Sequence, residues 1–209
     1  VLHGTTRRRR LTHSLVMSER FDDAYYQRFY GNDGAHDSER VGHLAAAVHE
    51  MCTWWGVTIA SVLDVGAGMG MWRDGYREQH PAVRVRSVDI SEHACQTWGH
   101  ERRDISRWRP GRQYDLVICH SVLQYLADDE AAAAIANLAA ATGWVLYLEA
   151  PTASDLALRV DPARTDMEVH RRAGTWYRHL LDPHYLQAGA GLWVKHDTIP
   201  MYELEVPPT

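Results

Sequence analysis

The sequence is poor in the residues that staple or metallate a fold. Its 209 residues hold three cysteines, Cys52, Cys95 and Cys119, scattered and without a CxxC pair. An odd, dispersed set argues against a disulfide framework and for reduced thiols in a cytoplasmic protein. The thirteen histidines show none of the HxH, HxxxH or HExxH spacings that bring two ligands to one ion, so no metal is expected. No apolar run approaches the length that spans a bilayer, and the first residues lack the apolar stretch of a signal peptide, so no membrane partner is expected. A positive excess is missing too. The formal net charge is −5, whereas a protein that grips nucleic acid by its phosphates usually presents a basic surface. Nucleic acid is therefore a poor candidate partner. The basic run Arg7 to Arg10 reads as part of a solvated, disordered extension over residues 1–17, with Met17 as a candidate natural start.

What is present suits one globular domain over residues 18–209: 45% of the chain is hydrophobic and 23% charged, enough to bury a full core. Ser18 to Tyr30 reads as a short helix rich in aromatics, broken by the glycines at 31 and 34. A stronger helix follows, capped by Asp37 or Ser38, with Val41, Leu44, Ala45, Val48, Cys52 and Trp55 at helical spacing. Strand-like runs then alternate with helices: Ser61 to Val65, Val83 to Ile90, Tyr114 to His120 and Trp144 to Glu149. Ala127 to Ala141 forms a helix with acids at its start and Gly143 just past its end. Such alternation predicts a parallel sheet covered on both faces. After Pro151 it stops. A polar, aromatic-rich stretch containing a helix at Thr175 to Leu181 runs to about residue 186. Two runs, Leu192 to Thr198 and Met201 to Val206, then read as an antiparallel pair closing the sheet.

Chemistry concentrates in the stretch Asp64-Val65-Gly66-Ala67-Gly68-Met69-Gly70. A strand enters a glycine turn that opens a helix, as needed where backbone approaches a ligand. The spacing is GxGxG, and Met71 stands where a dinucleotide dehydrogenase carries its third glycine. Nineteen residues on, a strand ends in Asp89, placed to accept from two ribose hydroxyls. Arg103-Asp104-Ile105 and the run from Tyr114 to Leu126 follow.

These four elements, in this order, resemble class I S-adenosylmethionine-dependent methyltransferases, in particular the compact bacterial methyltransferase-domain group, over about residues 20–206. The resemblance implies an α/β, Rossmann-like, doubly wound sheet of seven strands in the order 3-2-1-4-5-7-6, strand 7 antiparallel, with helices on both faces. It implies S-adenosyl-L-methionine as cofactor. Gly66, Gly68 and Gly70 would surround its methionine part, and Asp64 would act on its amino group. Asp89 with Ile90 would hold the ribose, Asp104 and Ile105 the adenine. The backbone at Cys119 and His120 would line the site. Asp115 is expected to be structural.

Methyl transfer asks the protein chiefly to align the acceptor and exclude water. His120 and His170 are candidate acceptor-side bases, since imidazole changes charge near neutrality. Tyr26, Tyr30, Glu149, Arg164, Asp166, Trp176 and Tyr177 are candidate acceptor-binding residues, with residues 151–186 as a lid; charged and aromatic groups together suit a polar organic acceptor. The NPPY-like and DPPY-like tetrapeptides of amino-group methylases and the Pro-Cys dipeptide of cytosine-carbon methylases are absent. The expectation is methyl transfer to a small molecule. The alternatives are an RNA or protein acceptor met by the Arg-rich tail with Arg102, Arg103, Arg107 and Arg109, a non-catalytic binding scaffold, and a nicotinamide-dependent oxidoreductase, which Met71 disfavours. The sequence does not set the oligomeric state.

Overall fold

The computed structural model describes residues 18–30 and 37–206. The expected extension over residues 1–17 and the glycine break after Tyr30 lie outside the described residues. The core is a seven-stranded sheet in the order β3-β2-β1-β4-β5-β7-β6. Its strands are β1 (Ser61–Val65), β2 (Arg84–Asp89), β3 (Glu101–Arg102), β4 (Tyr114–His120), β5 (Thr142–Glu149), β6 (Tyr185–Gly189) and β7 (Leu192–Lys195). β1 pairs in parallel with β2 and β4, β2 with β3, and β4 with β5, while β7 runs antiparallel to both β5 and β6. This is the doubly wound order the family resemblance implied.

Strand alternation divides the core between the two faces. Leu63, Val65, Val117 and Cys119 pack with Leu138 and Leu181, from α5 (Asp128–Ala141) and α7 (Gly174–Leu181). Val62, Leu116 and Ile118 pack on the other face with Val48, Cys52 and Trp72, from α2 (Ser38–Trp54) and α3 (Met71–Gln79). Asp37 caps α2, its Oδ1 accepting from Glu39 N–H at 2.8 Å. Asp115 is structural as expected: its Oδ2 accepts from the N–H groups of Ala60 and Ser61 and from Ser61 Oγ, tying β1 to β4 at their entry.

Three boundaries differ from expectation. β5 begins at Thr142, directly after α5. Gly143 is therefore a strand residue rather than a helix terminator, and a Cβ on it would meet Tyr114 O at 2.9 Å. The closing hairpin pairs β6 with β7, not Leu192 to Thr198 with Met201 to Val206. Its turn is Ala190–Gly191, both at positive φ (48° and 81°), the geometry that matches strand twist in a two-residue hairpin. The run after Met201 holds only a single 3-10 turn, Glu203–Glu205. Finally, the stretch after Pro151 contains a second helix, α6 (Ala153–Leu158), opened by a Thr152–Asp155 capping box. Among the described residues no helix is long and apolar enough to cross a membrane, and no group of three or more His, Cys, Asp or Glu could hold a metal.

Candidate active site

The sheet reverses its winding between β1 and β4, and open α/β sheets bind ligands beyond the carboxyl ends of such strands. There the chain turns through Gly66, Gly68 and Gly70 at φ of 69°, 54° and 81°. Glycine is required at 66 for a second reason: a Cβ would lie 2.2 Å from Val122 Cγ2, in the loop after β4. The two loops of the switch point are therefore in contact.

Asp89 ends β2 and is buried. Gly68 N–H donates to its Oδ2 at 2.8 Å and Ser91 N–H to its Oδ1 at 2.8 Å. Burial raises its pKa, opposed by those N–H groups. Each carboxylate oxygen accepts about two hydrogen bonds, so both keep capacity for a ligand hydroxyl. Asp89 faces a cleft with Ile90, Tyr26, Tyr30 and Tyr125, one carboxylate among apolar and aromatic walls. Asp64, in β1, faces the adjoining cleft with Gly66, Gly68, Trp72 and His120. Its Oδ2 is buried and has no hydrogen-bond partner among the described residues. Burial, reinforced by the Asp89 charge, pushes its pKa up to about 7. An orphaned buried acceptor of this kind calls for a ligand donor.

Two residues that sequence reasoning missed brace the turn. The Gly68 carbonyl can only accept, so His100 Nε2, at 2.9 Å, carries the hydrogen. Nδ1 is then the acceptor toward Ser87 Oγ at 2.8 Å. Burial holds the His100 pKa below its usual value, in keeping with a neutral ring. Arg73, buried in α3, donates to Trp98 O and to Asp74. No spacing in the sequence connects either residue to the glycines.

The adenine pair is placed differently from expectation. Asp104 closes a local turn: its Oδ1 accepts from Ser106 N–H at 3.0 Å and Ser106 Oγ at 2.6 Å, and Arg107 sits 3.4 Å from Oδ2. Ile105 is buried in the core, and its carbonyl accepts from Asn137 Nδ2 at 2.8 Å. Neither borders the clefts around Asp64 and Asp89. Cys119, expected to line the site by its backbone, turns its side chain into the core, where burial raises its thiol pKa.

His120, a candidate acceptor-side base, ends β4. Trp72 Nε1–H can only donate, and it reaches His120 Nδ1 at 2.9 Å. Nδ1 is thus the accepting nitrogen, and the neutral ring carries its proton on Nε2, which lies 3.5 Å from Glu149 Oε2. Tyr147 OH donates to the same oxygen at 3.1 Å. Ser121, next in the chain, has φ of 58°, an uncommon left-handed conformation for a residue with a Cβ. It borders both of these clefts and a third cavity of about 400 Å³ lined in part by residues 159–166. That cavity joins Tyr30, Glu149, Arg164 and Asp166, four of the predicted acceptor-side residues. The others are elsewhere. His170 is exposed and faces none of the three clefts. Tyr177 is buried in the core, and Trp176 packs on it edge-to-face. Both cover Arg172, which donates to Leu123 O, Leu126 O and Asp128 and so fixes the loop after β4. The aromatic pair expected to bind the acceptor belongs to an anchor instead.

The aromatic segment closes over the clefts. Phe21 and Tyr26 form a small core with Ala94 of α4 (Glu92–Trp98), and Tyr25 OH meets Tyr125 OH at 2.8 Å. Arg20 latches this segment to the stretch after α6 through Asp166 Oδ2 and Glu168 O, both at 2.7 Å. Arg20→Ala is expected to speed release of a ligand bound beneath α1 (Asp23–Tyr30) by roughly tenfold, the low end of one charged hydrogen bond for this partly exposed contact. Stopped-flow displacement measures it, and an unchanged rate would show that the contact does not restrain the segment.

The family model described as "Methyltransferase domain" matches residues 34–190, well over half of the chain. This protein belongs to the methyltransferase-domain family. Solved methyltransferases share its fold. Magnesium protoporphyrin IX methyltransferase from Synechocystis PCC 6803, with bound S-adenosylhomocysteine, superposes with a TM-score of 0.56 at 18% identity, covering 87% of this chain and 96% of that one. An amino pentose methyltransferase from Micromonospora echinaspora, involved in calicheamicin biosynthesis and bound to S-adenosylmethionine, gives 0.52 at 16% identity, over 74% and 90% of the two chains. No curated protein sequence matches significantly. As a methyltransferase, the chain has its glycine turn, Asp64 and Asp89 within the matched segment, together with the β1–β4 switch point.

Proposed function

We propose that this enzyme transfers the methyl group of S-adenosyl-L-methionine to a small polar organic acceptor in the cytoplasm, as one domain over residues 18–209 with residues 151–186 as its lid. The observation that carries the reading is the pair of buried carboxylates flanking the glycine turn: Asp64 with an orphaned oxygen, Asp89 with lone pairs facing an aromatic cleft. These fit a ligand with an ammonium group and a ribose. Asp64 would hold the amino group, Asp89 the ribose hydroxyls, and Ile90 with Tyr26 an apolar ring. The cofactor supplies the electrophilic methyl carbon; the protein orients and excludes water. Tyr26 and Tyr30 cover the cleft, and Ser121 stands where it opens into the 400 Å³ cavity, a size suited to a small organic molecule.

His120 was a candidate base, but with Nδ1 accepting from Trp72 its neutral form offers an Nε2–H instead. Glu149 then takes the proton released by a hydroxyl or amine acceptor, with His120 and Tyr147 holding its Oε2. The magnesium protoporphyrin and amino pentose enzymes, whose names describe small-molecule acceptors, support that class. The test is incubation with methyl-labelled cofactor and a metabolite extract, with Glu149→Gln as control. Label is expected in the low-molecular-weight fraction, falling roughly 100-fold or more in the variant, the usual contribution of a general base. Label confined to RNA or protein would overturn the acceptor class.

A further inference from the structure

We infer that the acceptor is a flat-ringed, anionic molecule with its own hydrogen-bond donor, held in the 400 Å³ cavity by arginines at the rim and Gln124 at the floor. This deepens the methyltransferase reading and rests on it. The walls of the cavity are aromatic: Tyr25, Phe29, Tyr30 and Tyr125 all face it. Tyr25 and Phe29 lie 5.0 Å apart between ring centroids, and Tyr25 and Tyr30 6.2 Å. Such walls favour a planar ring, which gains from offset or edge contacts beyond the area it buries.

Charge is arranged unevenly around these walls. Of the acids at the cavity only Asp166 is paired with a full cation among the described residues, so Glu149 and Asp161, each held by neutral hydrogen-bond donors, stand against three guanidiniums. Asp166 is bound by Arg20, Asp161 Oδ1 accepts from Ala163 N–H at 2.9 Å, and Glu149 is met by Tyr147 and His120. The cations are Arg40, Arg159 and Arg164. Arg40 comes from the first turn of α2 and Arg159 from the end of α6, and neither has an ion pair among the described residues. Two guanidiniums converging from separate elements can bind a carboxylate or a phosphate through charge-assisted hydrogen bonds.

Gln124 is an independent indication. It sits in the 3-10 turn after β4, is 3% exposed and borders the cavity, yet its Oε1 is buried without a hydrogen-bond partner among the described residues. An amide oxygen can only accept, so the missing partner is an N–H or O–H donor. A hydroxyl or amino group on the acceptor ring would supply it.

The experiment uses the full chain saturated with S-adenosylhomocysteine and calorimetric titration of matched probes: benzoate with benzamide, 4-hydroxybenzoate with 4-hydroxybenzamide, and 2-naphthoate with 2-naphthamide. At least one acid is expected to bind roughly tenfold or more tightly than its amide, the worth of one charged hydrogen bond. Arg40→Ala with Arg159→Ala should erase that preference while S-adenosylhomocysteine affinity is kept. Gln124→Leu should erase the preference for 4-hydroxybenzoate over benzoate. If no acid binds more tightly than its amide, or if the double variant keeps the preference, the inference is overturned. Failure of S-adenosylhomocysteine itself to bind would instead overturn the cofactor reading.

Discussion

Asp89→Ala lowers the affinity for S-adenosylhomocysteine by about 100-fold or more while the chain stays folded. The magnitude follows from two charge-assisted hydrogen bonds to ribose hydroxyls, each worth about 1.5–3 kcal/mol when one partner is charged. The variant also releases the N–H groups of Gly68 and Ser91, which donate to the two carboxylate oxygens. The turn that must surround the ligand loses its tie to β2 at the same time. Asp89→Asn does not rescue, because its NH₂ group would face one of those two donors. Calorimetry reads the affinity, and circular dichroism confirms that the variant is folded. An affinity within threefold of the parent would place the ribose elsewhere.

Affinity for S-adenosylmethionine rises with pH to a maximum just above neutrality. The sign comes from Asp64. Burial and the neighbouring Asp89 charge raise its pKa to about 7 in the free protein, so below that pH the group holds a proton. An ammonium partner selects the carboxylate, so binding expels the proton, and affinity falls about tenfold per pH unit below pH 7. Above roughly pH 8 the ligand's own amino group loses its charge and affinity falls again. Asp64→Asn should flatten the acid limb and bind about tenfold more weakly at pH 7.5, the loss of one charged contact. Titrations near pH 6.5 in buffers of different ionisation heat measure the proton released. A flat profile with no release would separate Asp64 from the amino group.

The clefts around Asp64 and Asp89 were legible because their signals are local. Asp64 and the glycines lie in one strand–turn–helix, and Asp89 ends the next strand. The larger cavity beside them was not, because its lining is brought together by contacts between distant elements. Nothing near His120 in sequence shows that Trp72 occupies its Nδ1 or that Arg40 and Arg159 converge on one cavity. Trp176 and Tyr177 read as ligand-facing by residue type, yet the amphipathic face of α7 turns them toward the core and Arg172. Asp104 has the spacing of an adenine ligand, but Ser106 and Arg107 meet its carboxylate. Some signals were present and unread. Thr152 and Asp155 make a capping box for α6, and Gly189-Ala190-Gly191 mark the hairpin turn.

The most direct measurement is calorimetric titration of the full chain with S-adenosylhomocysteine and, separately, with NAD at pH 7.5. The expected result is saturable one-to-one binding of S-adenosylhomocysteine and none of NAD. Tighter binding of NAD, or no binding of S-adenosylhomocysteine, would contradict the assignment of the Asp64–Asp89 cleft as a methyl-donor site.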